Sequence, residues 1–196
     1  MENKHITIKT IEIAGFTSVL KALRLPFGLE CRSEANANYY SVPENPNSFG
    51  TVSSINLNPK DLHLLSALVK RGDEHSKAIR GLVVYAEIEA PIWFYRELET
   101  YRFGRERLSS ESTMHIDCKG LGGEALEQAK DEIPMGHYQK TVDMYSYQTL
   151  RRIYQQRKNH RLPMWKDFLN WIESLPFAKE LILVGLKDEV SAEKEM

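Results

Sequence analysis

The chain has 196 residues, of which 42% are hydrophobic and 27% are charged, and its formal net charge at pH 7 is −1. These values are ordinary for one globular domain, which at this length can bury a sizeable core without a disulfide or a metal. The near-neutral charge argues against a general nucleic-acid coat, which would be strongly basic, but it is compatible with a local basic pocket for one phosphate group.

Cysteine usage and hydropathy indicate the compartment. Cys31 and Cys118 have no metal-ligand spacing, so they predict neither a disulfide framework nor a zinc site. The first ten residues lack the apolar core of a signal peptide, and no apolar run approaches the ~20 residues of a membrane span. We therefore expect a cytoplasmic protein in which residues 1–186 form one domain and residues 187–196 form a charged, flexible tail.

The first half of the chain mixes strand and helix patterns. The predicted elements are a bulged strand over 5–13, a helix over 16–25, a long irregular stretch over 33–54, a helix over 58–72 and a strand over 81–88. Thr17 or Ser18 would cap the first helix, and Asn58 would cap the second. Gly72 would end the second helix, because glycine readily adopts the left-handed conformation found after a helix.

The second half is predicted to be mostly helical. Its predicted elements are a helix over 91–102, a polar loop over 105–113, a turn over 119–123, helices over 123–133, 144–158 and 163–175, and a short element after Pro176. Pro91 opens the first of these helices and Gly104 breaks the chain after it. Strands and helices within one domain predict an α/β fold class.

The most informative segment is 96–112, which reads RELETYRFGRERLSSES. One interpretation is a solvated helix face with ion pairs such as Glu99–Arg102. The other is an oxyanion site, because guanidinium groups bind phosphate through two donors and serine hydroxyls can complete the shell. Trp93, Phe94, Tyr95 and Tyr101 make this helix more aromatic than a free surface, which favours the second interpretation.

Two further cations stand near helix ends. Arg157 continues the apolar stripe of the helix 144–158 by one turn, and Lys130 has a similar place on the preceding helix. A charge on an apolar face must be paired or meet a ligand, so Arg157 is a candidate binding residue. The alternative is that its aliphatic stem lies on the apolar face while its charge reaches solvent.

The segment 96–112 resembles the signature of the flavin-dependent thymidylate synthases (ThyX), in which Arg-Gln precedes Arg-His-Arg on a helix and serines follow. Aligned without gaps, Arg96 and Glu97 match Arg-Gln, residues 100–102 lie on Arg-His-Arg, and Ser110 falls on the second motif serine. The chain departs from the signature at five positions, where the family has Arg, His, Ser, Asn and Arg and this sequence has Thr100, Tyr101, Arg105, Arg107 and Ser112.

The similarity extends over residues 62–175. The family pattern Ala-Arg-x-x-Leu-Pro is similar to residues 129–134, which place Lys130 at the arginine, and Tyr138 follows at the family spacing. A helix that ends in Phe-Leu-x-Leu-Arg is similar to residues 153–157, which end in Arg157. Upstream, His75 matches the first histidine of Gly-His-x-Ser-x-x-Glu-His, whereas Gly81 stands at the second.

This resemblance implies an α+β domain in which helices pack on a mostly antiparallel central sheet, in a homotetramer with sites between subunits. The implied reaction is reductive methylation of dUMP to dTMP, with FAD, NADPH and methylenetetrahydrofolate and without a cysteine nucleophile. Ser110 and Arg157 would be the catalytic residues. The implied nucleotide-binding residues are Glu97, Arg102, Arg105, Arg107, Ser110, Lys130 and Arg157. The implied flavin-side residues are His75, Tyr101 and Arg102.

The residues leave other functions open. A catalytically degenerate protein with the same fold would bind a nucleotide or a protein partner without chemistry. A nucleic-acid-binding module could use the arginines and aromatics of the segment 96–112, although the net charge and the interleaved glutamates argue against it. His115, Asp117 and Cys118 lack a fourth ligand at a recognisable spacing, so we expect no metal site.

Overall fold

A computed structural model describes residues 6–28 and 57–186. The predicted irregular stretch 33–54 and the predicted tail 187–196 lie outside these residues. The described part contains one four-stranded antiparallel sheet with the strand order β1-β2-β4-β3. Its strands are β1 (Thr7–Ala14), β2 (Val83–Pro91), β3 (Arg105–Ser110) and β4 (Tyr138–Ser146).

Helices pack on this sheet, as the α+β class requires. The α-helices are α1 (Phe16–Arg24), α2 (Pro59–Lys70), α3 (Ile92–Leu98), α4 (Thr113–Ile116), α5 (Gly123–Asp131), α6 (Tyr147–Arg157) and α7 (Pro163–Ser174). Two 3₁₀ helices (Leu25–Phe27 and Ser76–Gly81) and a π-helical turn (Lys179–Leu183) complete the described part.

Several predicted elements are confirmed. The strand β1 has the predicted bulge, since its register against β2 shifts between Thr10 and Glu12. Asn58 caps α2 by accepting a hydrogen bond from the backbone N–H of Lys60. The cap predicted for α1 was wrong, because Gly15 occupies that position in a left-handed conformation and no side chain caps the helix.

Two strands were missed. The segment predicted as a polar loop over 105–113 contains β3, which lies at the sheet edge and keeps most of its side chains exposed. The predicted helix 144–158 begins only at Tyr147, since residues 138–146 form β4. β4 buries Thr141 and Asp143 on the same side of the sheet as Tyr145, so hydrophobic alternation gave little signal for it.

The core between the sheet and its helices is rich in aromatic side chains. Phe94 of α3 and Phe168 of α7 each contact the fully buried indole of Trp165, with ring centroids 4.9 and 5.6 Å apart. Tyr145 of β4 meets Phe168 edge-to-face. This packing fixes α3 and α7 against the sheet. In residues 6–28 and 57–186, no helix combines the length and the apolarity needed to cross a membrane.

Candidate functional site

The structure brings three of the predicted site residues together. The Arg157 Nε donates a hydrogen bond of 2.8 Å to the Tyr101 hydroxyl, and the Arg157 Nη1 lies 3.6 Å from a carboxylate oxygen of Glu97. The guanidinium carbon stands 4.5 Å from the centre of the Trp165 ring. Arg157 therefore ends α6 in a fixed position, although 19% of its side chain stays exposed. We call Glu97, Tyr101, Arg157, His160 and Trp165 the Arg157 cluster.

Glu97 is the common acceptor of this cluster. One of its carboxylate oxygens accepts a 2.7 Å hydrogen bond from the Trp165 indole N–H and lies 4.0 Å from His160 Nε2. These partners come from different elements, because α3 supplies Glu97 and α7 supplies Trp165. The fully buried indole needs a partner for its N–H, and Glu97 satisfies it. Packing of α7 against α3 thus positions both the carboxylate and the arginine that pairs with it.

Arg105 lies inside the protein. Its side chain is 6% exposed, and both its Nε and its Nη2 donate to the fully buried carboxylate of Asp143. Its Nε also lies 3.3 Å from the Tyr145 hydroxyl. Burial alone would lower the pKa of Arg105, but interactions with Tyr145 and Asp143 outweigh it and raise that pKa. The guanidinium is therefore committed to an internal ion pair.

Arg107 lies on the same side of β3 and is half-buried. Its Nε is 3.4 Å from the second Asp143 oxygen, its Nη1 is 3.6 Å from Glu99, and its guanidinium stacks 4.7 Å above the Tyr95 ring. Its Nη2 is buried and has no hydrogen-bond partner within the described part of the chain. Two arginines on one buried carboxylate leave a net positive charge at this sheet edge, which Glu99 offsets from the surface.

The other predicted site residues are exposed. Arg102 lies in the connection between α3 and β3, Ser110 ends β3 opposite Thr141, and Lys130 lies in the last turn of α5. His75 precedes the 3₁₀ helix Ser76–Gly81 and lines an apolar groove between α1 and α2. None of these four forms a hydrogen bond or ion pair with the Arg157 cluster in the described part of the chain.

A cleft of about 380 Å³ lies beside the connection between α3 and β3. Its lining residues are Arg80, Phe103, Gly104, Ser146, Gln148, Thr149 and Arg152. The Arg80 Nε donates to the Gln148 side-chain oxygen at 2.5 Å, and the Phe103 ring is 83% exposed. The cleft thus presents two guanidinium groups and one free aromatic ring. The sequence analysis did not single out Arg80 or Arg152. The available signal concerned Arg152, which is a second arginine beside Arg151 on α6.

The residues considered for a metal do not form a ligand set. His115 is exposed, Cys118 is buried, and Asp117 instead lies 3.4 Å from His137. Across residues 6–28 and 57–186 there is no group of three or more His, Cys, Asp or Glu side chains with the arrangement of a metal site.

The sequence has no match among the models of known protein families or among curated proteins. Its structure does have similar solved structures. A ThyX from Helicobacter pylori, solved with FAD and dUMP, matches with a TM-score of 0.64 and 12% identity over 93% of this chain and 99% of that chain. A second Helicobacter pylori ThyX structure with the same two ligands matches with a TM-score of 0.63 and 12% identity over 92% of this chain and 99% of that chain.

A third similar structure is the UMP/dUMP methylase PolB from Streptomyces cacaoi, bound with 5-Br dUMP. It matches with a TM-score of 0.55 and 13% identity over 93% of this chain and 94% of that chain. All three matches extend over nearly the whole of both chains, so the likeness includes the sheet, α3 and α6. The chain is therefore a divergent protein with the fold of the flavin-dependent thymidylate synthases.

Proposed function

We propose that this protein binds a pyrimidine nucleoside monophosphate such as dUMP at the Arg157 cluster. The observation that carries the proposal is the Arg157 guanidinium, which Tyr101, Glu97 and Trp165 hold in place while part of it stays exposed. A guanidinium whose orientation is already fixed loses little entropy when it binds a phosphate or a base carbonyl. The resemblance assigns the nucleotide to this same arginine.

The roles of the remaining residues follow from their exposure. Ser110, Lys130 and Arg102 are exposed donors suited to phosphate oxygens, and Glu97 is an acceptor suited to a base N–H. Arg107 contributes positive charge from the sheet edge. Arg105 is buried against Asp143, so it acts on a ligand only by keeping β3 and β4 in place.

The reaction in this proposal is reductive methylation of dUMP, with FAD, NADPH and methylenetetrahydrofolate, in a homotetramer. The ThyX structures to which the chain is similar contain FAD and dUMP. The cleft near Phe103 is suited to one part of a flavin dinucleotide, since Arg80 and Arg152 can pair with its phosphates and the exposed ring can stack on one of its ring systems. Arg102 adjoins this cleft in sequence, whereas Tyr101 is only 6% exposed and supports Arg157.

A second candidate is a catalytically degenerate protein that binds a nucleotide or a protein partner. The observation that favours it is the burial of Tyr101, which occupies the position of the family histidine. Its ring lies edge-to-face against Trp165 and its hydroxyl is bonded to Arg157. A side chain with these contacts has little surface left for a flavin.

An absorbance spectrum of the purified protein between about 350 and 500 nm, repeated after addition of FAD and dUMP, separates these candidates. A bound-flavin spectrum together with saturable dUMP binding is the result expected for a methylating enzyme. Saturable dUMP binding without flavin would support the degenerate protein. Absence of dUMP binding both with and without FAD would contradict the proposed nucleotide site.

A further inference from the structure

A second basic cleft lies away from the Arg157 cluster, between the end of α2 and α6. Its volume is about 450 Å³. The lining residues are Lys70, Arg71, Gly72, Asp73, Arg151, Gln155, Lys158, Gly185 and Leu186. Four of them are cations and one is a carboxylate, although the whole chain is nearly neutral. A neighbouring cleft of about 400 Å³ shares Asp73, Arg151 and Gln155 with it.

Two of these cations have an ordinary structural explanation. Lys70 lies in the last turn of α2 and Lys158 follows the last turn of α6. Positive charges at helix C-termini interact favourably with the carbonyl groups that end the helix. Lys70 and Lys158 therefore do not indicate a ligand by themselves.

Arg151 differs from these two lysines, because it does not stand at the end of its own helix. It lies in the middle of α6 and is 9% exposed, yet it pairs with no carboxylate among the described residues. Its Nη1 donates to the carbonyl oxygens of Ile182 and Val184 at 2.5 and 2.8 Å. This contact satisfies carbonyls at the end of the π-helical turn and fixes the guanidinium plane.

The rest of the Arg151 guanidinium faces the two clefts, where no acceptor is bonded to it. Its Nε and Nη2 form no hydrogen bond with any residue in 6–28 or 57–186, and its side chain lines both basic clefts. Burial lowers the pKa of Arg151, and Asp73 offsets this only in part. The two remaining donors are open to the clefts, so an anion that enters a cleft can bind them directly.

We propose that this cleft is a binding site for the phosphate group of a small phosphorylated molecule. The Arg151 Nε and Nη2 would hold two phosphate oxygens, because the guanidinium edge matches phosphate geometry. Lys70 and Arg71 would approach the phosphate from the end of α2. The cleft is larger than one phosphate group, and Gln155 supplies an amide for the remainder of the molecule.

The test is a titration with inorganic phosphate and, separately, with ribose 5-phosphate, followed by the backbone amide NMR signals of Gly72 and Gly185. Both glycines line the cleft. We expect saturable shifts at both, which potassium chloride at equal ionic strength does not produce. Tighter binding of ribose 5-phosphate than of phosphate would identify a phosphorylated metabolite as the ligand, and equal binding would identify free phosphate.

The double variant Lys70→Gln/Arg71→Gln should weaken phosphate binding by about tenfold or more, since it removes two exposed charges without disturbing the core. The matched control is Lys60→Gln/Lys166→Gln, which removes two exposed lysines elsewhere and should bind normally. Arg151→Lys keeps the positive charge but loses the paired N–H donors of the guanidinium, so this variant should also bind phosphate more weakly.

This proposal is independent of the nucleotide site. The variant Arg157→Ala should keep the phosphate shifts at Gly72 and Gly185, even if it loses dUMP binding. Shifts that are equal in chloride and phosphate, or that persist unchanged in Lys70→Gln/Arg71→Gln, would overturn the basic cleft as a phosphate site and leave the proposal for dUMP untouched.

Discussion

At the scale of single residues, Arg157 is the test of the nucleotide site. Its guanidinium is partly exposed and rests on the Trp165 ring, so Arg157→Ala should cost about 1 kcal/mol of unfolding free energy. A lost charge-assisted contact to dUMP should weaken binding by about tenfold to a hundredfold. Calorimetric titration with dUMP and urea denaturation measure the two effects.

A matched control for this variant is Arg161→Ala, which removes an exposed arginine shortly after α6. We expect it to change neither dUMP affinity nor stability. If Arg157→Ala lowers stability and affinity to the same extent, Arg157 is a structural residue, and the interpretation that its stem merely covers the apolar face is correct.

The buried carboxylate of Asp143 makes a second prediction at this scale. Asp143→Ala leaves the Arg105 charge buried without a partner, which should cost about 3–5 kcal/mol. Glu99→Gln removes the exposed partner of Arg107 and should change stability by less than about 1 kcal/mol. Urea denaturation measures the free energy of unfolding of both variants. Equal losses of stability in the two variants would show that the Arg105–Asp143 pair contributes little.

Sequence reasoning named some residues that the fold brings together and misjudged the surroundings of others. Glu97, Tyr101 and Arg157 were named from motif spacing, and the fold does bring them together. Arg105 was proposed as a ligand-binding residue, but its partner Asp143 stands 38 positions later on a strand that the pattern did not reveal. An arginine's role depends on which carboxylate the fold places beside it, and a single sequence contains no direct signal for that.

At the scale of elements, the connection from α3 to β3 determines where the arginines of β3 lie. Gly104 has a φ of +73°, and a Cβ built there would lie 2.5 Å from the hydroxyl oxygens of both Ser146 and Thr149. Ser146 caps α6, and Thr149 donates to the Phe103 carbonyl. The turn and the start of α6 are therefore one packed unit.

Gly104→Ala should destabilise the protein by about 1–3 kcal/mol, because it adds a clash to an already strained conformation. Gly136→Ala is the control, since a Cβ there meets nothing within 4 Å. Thermal unfolding followed by circular dichroism measures both variants. A Gly104→Ala protein as stable as Gly136→Ala would show that the turn can move away from Ser146 and Thr149.

The elements that sequence patterns predicted are those with strong local signals. α2 has an asparagine cap and α7 has an amphipathic pattern, and both were predicted close to their observed ends. β3 and β4 were missed for opposite reasons. The edge strand β3 exposes polar residues on both faces. The strand β4 buries a threonine and an aspartate, so its buried face does not show up as a row of alternating hydrophobic residues.

At the scale of the whole molecule, several tyrosines lie in the core. Tyr145 and Tyr147 are fully buried, and burial raises the pKa of both. Burial also raises the pKa of Tyr95 to about 12. The Tyr95 hydroxyl lies 2.7 Å from the carbonyl oxygens of Ile88 on β2 and Gln139 on β4, so it joins α3 to the two central strands.

These raised pKa values predict the direction of alkaline unfolding. An unfolded tyrosine loses its proton near pH 10, whereas folded Tyr95 keeps its proton up to about pH 12. Between these values the folded state binds more protons than the unfolded state, so the free energy of unfolding falls as pH rises. The stabilisation is complete below about pH 10, and a shift of this size corresponds to about 3 kcal/mol.

Urea denaturation at about pH 9 and about pH 12 measures this loss. Tyr95→Phe removes the titrating group, so its loss of stability over the same interval should be smaller than that of the unmodified protein by about 2 kcal/mol, because folded Tyr95 is only half ionised at about pH 12. The control is Tyr85→Phe, which replaces a half-buried tyrosine on β2. Its loss of stability includes the effects of lysine ionisation and of general repulsion at alkaline pH. Tyr95→Phe could instead lose as much stability as the unmodified protein. In that case Tyr95 ionises without disturbing the contact between α3 and the central strands, and the arrangement of Glu97 and Tyr101 does not depend on the Tyr95 proton.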